Sequence, residues 1–216
     1  MPRSWPILVF FLFCTVTVVQ AATVEHSFNV GTLSVPRICQ PGNVSVTAVN
    51  GRLPGPLIEV NEGDDVVIHV VNDSPYNVTI HWHGVFQRRT PWADGPAMVT
   101  QCPIRPGGRY TYRFQVAGQE GTLWWHAHSS FMRATVYGAL VIRPRLGAGA
   151  YPFPKPDGEK IVLLGAWWND DTVLLERQAF LSGTTIASAV AYTINGEPGD
   201  FYDCNATTIT VLTRAH

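Results

Sequence analysis

The sequence predicts an all-β protein built as an antiparallel sandwich or barrel. Two observations lead to this fold class: short runs rich in β-branched and aromatic residues, and clusters of turn-forming residues between them. The strand-like runs are Val44–Val49, Asp65–Val71, Val78–His83, Arg109–Val116 and Thr135–Ile142. The clusters between them include Asn50-Gly51, Glu62-Gly63 and Pro106-Gly-Gly108. Many short strands at this spacing are typical of sandwiches and barrels.

The amino terminus has the layout of a secretory signal peptide. A basic start at Arg3 precedes an apolar run from Leu8 to Val19, and small residues near Ala21 offer a cleavage point. The alternative is a membrane anchor, but a spanning helix needs about 20 apolar residues and this run is shorter. We therefore expect residues 1–21 to be a signal peptide and the protein to be secreted. Asn-x-Ser/Thr sequons, which fit a secreted glycoprotein, occur at Asn43, Asn72, Asn77 and Asn205.

Composition divides the remaining chain into two parts. Residues 146–159 are rich in Pro, Gly and Ala and predict a linker after a first domain at 22–145. A second strand pattern starts at Lys160–Gly165, with one or two helical turns near Thr172–Phe180. Because a sandwich domain takes about 100 residues, we expect residues 160–216 to form only part of a second domain. The net charge of −1, with no Lys/Arg block, argues against nucleic acid or an anionic membrane as partner.

Two His-x-His pairs are the strongest chemical signal in the sequence. They are His81-Trp-His83 and His126-Ala-His128. Residues i and i+2 of a strand point to the same face, so each pair presents two imidazoles to one side. Imidazole binds Cu, Zn, Fe and Ni. The alternative is two accidental pairs, but the chain has only 7 His among 216 residues. We predict a metal site formed by all four histidines.

The motifs around the pairs favour copper. They are His81–Gly84, Trp92–Pro96, Thr100–Ile104, Gly121–His128 and Arg133–Ala139, preceded by Val49–Pro56. In this order and spacing they resemble the first cupredoxin domain of multicopper oxidases, and plant laccases in particular. Tyr192–Gly196 and Cys204 extend the resemblance into a second domain. It implies a cupredoxin-like Greek-key sandwich and an extracellular, apoplastic enzyme. A zinc enzyme or a dismutase, which can also use His-x-His on a strand, is the alternative.

The resemblance also implies a role for each site residue. His81 would bind a type 2 copper, and His83, His126 and His128 would bind type 3 coppers. Asp94 would assist proton delivery to oxygen at the cluster, although an Asp before Gly95 is also an ordinary turn residue. The remaining aromatic and histidine residues are expected to be structural. These are Trp82, Trp124 and Trp125, expected to pack in the core beside the metal rather than to stack on substrate, and His26 and His69, which match no ligand.

The family reaction oxidises phenols, including lignin precursors, by one electron each and reduces O2 to water with four. It requires a type 1 copper held by Cys and two His, yet no cysteine in this sequence has a neighbouring His. The four histidines are also only half of the family's cluster ligands. We therefore expect the front part of a laccase. The alternative is a truncated, secreted copper-binding or interaction module without oxidase activity. In either case, apolar surface left exposed where further domains would pack predicts self-association of this chain.

Cysteine usage fits the same expectation. Cys14 lies in the expected signal peptide, which leaves three cysteines, an odd number for a secreted chain. The resemblance implies a Cys39–Cys204 disulfide. It also implies that Cys102 is left free, because its family partner lies in a distant C-terminal region.

Overall fold

The computed structural model describes residues 21–145, 151–154 and 156–198, and it confirms the predicted all-β fold. The strands of the first part are β1 (Thr23–Pro36), β2 (Asn43–Val49), β3 (Ile58–Asn61), β4 (Asp65–Asn72), β5 (Ile80–His83), β6 (Arg109–Gln115), β7 (Gly121–Ala127) and β8 (Tyr137–Arg143). Those of the second part are β9 (Leu164–Trp167), β10 (Ala191–Ile194) and β11 (Glu197–Pro198). The helices are α1 (Thr172–Ser182) and two short 3-10 helices, Pro91–Ala93 and Ser130–Ala134.

The first eight strands form two four-stranded sheets. Their orders are β2-β1-β4-β6 and β3-β8-β7-β5. The sheets are mixed rather than purely antiparallel, because β1 runs parallel to β4 and β3 runs parallel to β8. The antiparallel part of the prediction is therefore wrong for these two pairs. Local turn signals identify strands joined by hairpins, whereas pairings between strands distant in sequence are set by how the sheets close.

Large aromatic side chains fill the space between the two sheets. Trp82 and Trp125 are both 0% exposed. The ring of Phe28, on the opposite sheet, lies 4.7 Å from that of Trp125 and 6.5 Å from that of Trp82. Tyr112 is also fully buried and packs edge-on against Trp82 at 5.2 Å. Rings of this size bury large apolar areas, so these contacts fix how the sheet carrying β5 and β7 sits on its partner.

Several predicted element bounds differ from those observed. The longest strand, β1, was not anticipated, because polar residues interrupt it and much of it is exposed or half-buried. The strand predicted from Lys160 begins only at Leu164, where pairing with β10 starts. Helix α1 is longer than predicted, at 11 residues. Asp171 caps its amino end by accepting from Val173 N–H at 2.9 Å, which satisfies an amide left free in the first turn.

Polar contacts join the second part of the chain to the first. The Asn169 amide group accepts from Ile38 N–H at 2.8 Å and donates to Ile38 carbonyl O at 2.7 Å. Tyr76 donates its hydroxyl to the carboxylate of Asp171 at 2.7 Å. Asn169 is buried, so losing either partner would leave an unsatisfied polar group in the interior. Helix α1 is therefore held at a defined position beside the first sandwich.

Some predictions fall on residues that the structure does not describe. The expected signal peptide lies almost entirely there, as do Cys204 and Asn205, and the domain bounds stay predictions. Among the described sequons, Asn43 and Asn77 are exposed. Asn72 is 0% exposed and donates to the carbonyls of Tyr76 and Ile104, so the folded chain has no room for a glycan there. No helix within the described ranges is long and apolar enough to cross a membrane.

Replacing Gly138 with Ala should destabilise the sandwich. A Cβ at this position of β8 would lie 2.6 Å from the ring of Trp125, which is buried and has no space to move away. Overpacking of this kind costs about 1–3 kcal/mol. Urea denaturation followed by tryptophan fluorescence measures the change in the free energy of unfolding. Gly31→Ala in β1 is the matched control, because its Cβ meets its nearest atom at 3.5 Å; equal stability of the two variants would contradict this account.

Candidate metal centre

Strands β5 and β7 are antiparallel neighbours, and their register decides where the histidines lie. His81 is paired with His126, and His83 with Trp124. Side chains of directly paired residues point to the same face, so these four project from the outer face of the sheet. Trp82, between the two histidines of β5, is paired with Trp125, which precedes His126, and both rings point into the core. Ala127, between His126 and His128, is buried as well. Each His-x-His motif therefore presents its imidazoles on one side and is anchored on the other.

The structure brings all four predicted histidines together. Ring nitrogens of His81, His83 and His126 lie within 4.8 Å of one another. The closest pair is His83 Nδ1 and His126 Nε2, at 3.3 Å. Nitrogens this far apart can each lie about 2 Å from a single ion, the usual length of a metal–imidazole bond. The ring of His128, just beyond β7, is centred 5.3 Å from that of His81 and 5.9 Å from that of His126.

Backbone carbonyls determine the tautomers of two of these rings. His81 Nδ1 lies 2.7 Å from the carbonyl O of Asp94, and His126 Nδ1 lies 2.9 Å from that of Ala127. A carbonyl oxygen only accepts hydrogen bonds, so both Nδ1 atoms carry the proton. The Nε2 lone pairs are then left free for a metal, in the arrangement that proteins commonly use to orient ligating histidines.

Burial keeps one of the imidazoles neutral. Burial, together with the smaller effect of the neighbouring His81, His83 and His128, which would each be positively charged when protonated, lowers the pKa of His126 to about 4, although the bond to the Ala127 carbonyl opposes the shift. A neutral imidazole is the form that binds metal. The donor set of this cluster is thus chemically suited to copper.

The loop that carries Asp94 packs directly against β5. Asp94 ends the 3-10 helix Pro91–Ala93, and the next residue, Gly95, has φ +97°. A Cβ on Gly95 would lie 1.8 Å from the carbonyl O of Ile80, so only glycine allows this approach. Trp82 Nε1 donates to the carbonyl O of Ala93 at 3.1 Å. Asp94 therefore sits in a turn, and its carboxylate lies 3.3 Å from His81 Nδ1, while its role in proton delivery stays a prediction.

The histidines open into a cleft of about 430 Å³. Asp94 is not among the residues that line it and reaches the site through His81. Trp124 does line it and stacks on His126, with ring centroids 4.1 Å apart, so the expectation that Trp124 is a core residue is wrong. Sequence reasoning did not anticipate the other lining side chains: two follow His128 within five residues without a chemical signal, and the third comes from the distant helix α1. They are Ser130, Arg133 and Glu176.

The other described histidines lie away from the cleft, as expected. His69 is on the outer face of β4, with its ring nitrogens bonded to Thr111 Oγ1 at 3.0 Å and to the carboxylate of Glu25. His26 is half-buried in β1, and burial lowers its pKa. Neither belongs to the histidine cluster.

The cysteines are partly described. Cys39 is disulfide-bonded, and its expected partner Cys204 lies outside the described residues. Cys102 is an exposed free thiol, as the resemblance implied.

Comparison with known proteins identifies the family. Residues 30–147, which include both His-x-His pairs, match the family model described as multicopper oxidase. The chain belongs to the multicopper oxidase family. Membership implies copper as the cofactor, in agreement with the imidazole donor set of the cleft.

Relatives within this family include plant laccases. The chain is 73% identical over 209 residues to Laccase-6 of Oryza sativa subsp. japonica, and the match covers 96% of this chain and 36% of the rice protein. It is 59% identical over 189 residues to Laccase-7 of Arabidopsis thaliana, covering 88% of this chain and 33% of that protein. The predicted resemblance to plant laccases is confirmed, and the chain spans about a third of the length of these relatives.

Solved structures of multicopper oxidases share the fold. The laccase from Botrytis aclada matches with a TM-score of 0.68 and 30% identity, over 87% of this chain and 33% of that one. The blue copper oxidase from Nitrosomonas europaea matches with a TM-score of 0.64 and 31% identity, over 81% of this chain and 54% of that one. The cupredoxin-like fold class predicted from the sequence is confirmed.

The tautomers give a direct test of this geometry in the metal-free protein. Long-range ¹H–¹⁵N correlation spectra at neutral pH should show His81 and His126 protonated at Nδ1, because each donates to a carbonyl. Imidazoles free in water favour the Nε2-protonated form, so spectra with both rings in that form would contradict the two hydrogen bonds. His69, outside the cleft, provides an internal reference.

Proposed function

We propose that this chain carries the first half of the trinuclear copper centre of a secreted laccase-type multicopper oxidase. The reaction proposed for the whole enzyme is one-electron oxidation of phenols coupled to four-electron reduction of O2 to water. The observation that carries the proposal is the convergence of four imidazoles on one cleft, within a chain of the multicopper oxidase family. The high identity to proteins named laccase supports the choice of phenols as the substrate class.

The proposed ligands follow the sequence motifs. His81 would hold the type 2 copper, and His83, His126 and His128 would hold type 3 copper. Two observations support this assignment: the 3.3 Å separation of His83 Nδ1 and His126 Nε2 suits two ligands of one ion, and the Nδ1–H of His81 leaves its Nε2 free. Bound copper ions would supply the capacity to accept single electrons and to reduce O2. The remaining ligands, and the type 1 site, are proposed to come from other parts of a full-length oxidase.

Protein groups around the histidines would prepare the site for this chemistry. Asp94 holds the Nδ1 proton of His81 through its carbonyl, and its half-exposed carboxylate sits against the same ring. We propose that this carboxylate also delivers protons toward the cleft, as the catalytic residue of this chain. Trp124, stacked on His126, shields one side of that ring from water. Burial of His126 stabilises its neutral form.

The proposed setting is the extracellular space of plant tissue, the apoplast, with phenolic molecules of the lignin type as donors. The amino-terminal sequence and the exposed sequons at Asn43 and Asn77 support secretion. Exposed apolar side chains on β9 and β10 support further contacts of this part of the chain with other protein surface. They include Leu164, Tyr192 and Ile194.

Copper binding by the purified chain tests the ligand set. The wild-type chain should bind Cu(II), and His83→Gln should weaken binding by at least about tenfold, since even the loss of an outer partner of a ligand costs 10- to 100-fold. Competition with a chromogenic chelator measures the affinity. His69→Gln is the matched control because His69 lies outside the cluster. Equal losses in the two variants would show that copper binds these imidazoles without a defined site.

A chimaera tests the oxidase proposal against a copper-binding module without oxidase activity. This chain would replace the matching segment of the rice relative, and O2 uptake with a benzenediol would be recorded. Turnover is expected in the chimaera and in its His69→Gln variant. A loss of at least about 10- to 100-fold is expected in its His126→Gln variant, because removing a ligand should cost no less than removing the outer partner of one. A correctly folded, copper-loaded chimaera that consumes no O2 would favour the non-oxidase module.

A further inference from the structure

The turn that follows His128 has an unusual backbone. His128 itself is tied to the neighbouring segment, since its N–H donates to the carbonyl O of Thr79 at 2.9 Å. Two residues later, Ser130 has φ +53° and begins the 3-10 helix Ser130–Ala134. The left-handed region is unfavourable for a residue with a Cβ. This conformation persists only if other contacts hold it.

Helix α1 supplies those contacts through one carboxylate. The residue before the 3-10 helix, Ser129, makes no side-chain cap to its free amides. Glu176 of α1 takes that place: its Oε2 accepts from Phe131 N–H at 3.1 Å and from the hydroxyl of Ser130. Hydrogen bonds to an ionised carboxylate are stronger than neutral ones, and negative charge is favoured at the start of a helix. The strained turn is thus capped from a different part of the chain.

Contacts between aromatic rings also stabilise the Ser130 turn. Phe131 packs edge-on against Trp168, with centroids 5.0 Å apart. The guanidinium group of Arg133 lies 5.0 Å from the Phe131 ring on the side of the cleft. Helix α1 cannot easily follow a shift of the turn, because Asp171 at its amino end is bonded to Tyr76 of the first sandwich. The hydrogen bonds that Glu176 accepts therefore join the Ser130 turn to a helix that is itself held in place.

Glu176 also lines the cleft that the four histidines share. From these contacts we infer that Glu176 is a positioning residue for the copper site: it holds the Ser130 turn and thereby fixes the imidazole of His128. The inference rests on the proposed function, since it assigns Glu176 a task at the same site. It adds to that function a role for the second part of the chain: helix α1 holds His128, a proposed copper ligand of the first part, in position.

Three variants of the full chain test the inference. Glu176→Leu removes both accepted hydrogen bonds, Glu176→Gln keeps one carbonyl acceptor, and Glu120→Gln changes an exposed carboxylate that does not line the cleft. Cu(II) affinity is measured by chelator competition. We expect a loss of about 10- to 100-fold for Glu176→Leu, a smaller loss for Glu176→Gln, and wild-type affinity for Glu120→Gln.

A second background separates positioning of His128 from a general loss of stability. If Glu176 acts through His128, then Glu176→Leu should cause no further loss of copper affinity in a His128→Gln chain. In the metal-free protein, the imidazole resonances of His128 should shift in Glu176→Leu while those of His69 stay in place. Ser130→Gly should restore part of the affinity of Glu176→Leu, because glycine adopts φ +53° without strain.

The outcomes distinguish the inference from the function on which it rests. Additive losses in the double variant, or unchanged affinity and His128 resonances in a folded Glu176→Leu or Glu176→Gln chain, would overturn the role of Glu176 and leave the copper site standing. If the wild-type chain fails to bind Cu(II), or His128→Gln binds it as the wild type does, the proposed ligand set is itself wrong.

Discussion

The pairing of β5 with β7 is the constraint on which the site depends. One register sets His81 opposite His126 and, one residue later in β5 and one earlier in β7, Trp82 opposite Trp125. A shift of one residue would exchange the two faces and put imidazoles into an apolar core. The buried tryptophan pair, packed against Phe28, makes such a shift very unfavourable. Hydrophobic packing on one side of the sheet therefore fixes the geometry of polar groups on the other.

Two glycines allow neighbouring segments to pack closely against β5 and β7. Gly138 leaves room for the Trp125 ring beside β8, and Gly95 lets the Asp94 loop contact β5. Each lies where a Cβ would collide with a group that cannot move. The result is that the Asp94 carbonyl reaches His81 Nδ1 and sets the ring's tautomer before any metal binds. Preorganisation of this kind reduces the cost of assembling a ligand set.

The second part of the chain contributes to the site although it holds no predicted ligand. Asn169 and Asp171 fasten it to the first sandwich, and α1 then delivers Glu176 to the turn beyond His128. The cleft is thus lined by residues from both parts of the chain: the first part provides the histidines, and helix α1 provides the carboxylate of Glu176. The chain spans about a third of the length of its rice and Arabidopsis relatives.

Much of the site was predictable from local sequence, because its key relations are short in range. The i, i+2 spacing within His81–His83 and within His126–His128 decides that each pair shares a face, and the motifs around them indicate copper. The left-handed turn at Ser130 had no such signal. Trp124 precedes His126 by two residues, so the alternation that sets the histidine face also places Trp124 on the cleft side rather than in the core.

The sequence by itself determined the fold class, the family resemblance and the four candidate ligands, because strand periodicity and motif spacing depend only on residues that are close in sequence. Only the tertiary structure decided the parallel pairings of β1 with β4 and β3 with β8, the tautomers of His81 and His126, and the approach of Glu176. These depend on groups that are distant in sequence, and their positions follow from how the two sheets pack and close around a shared core.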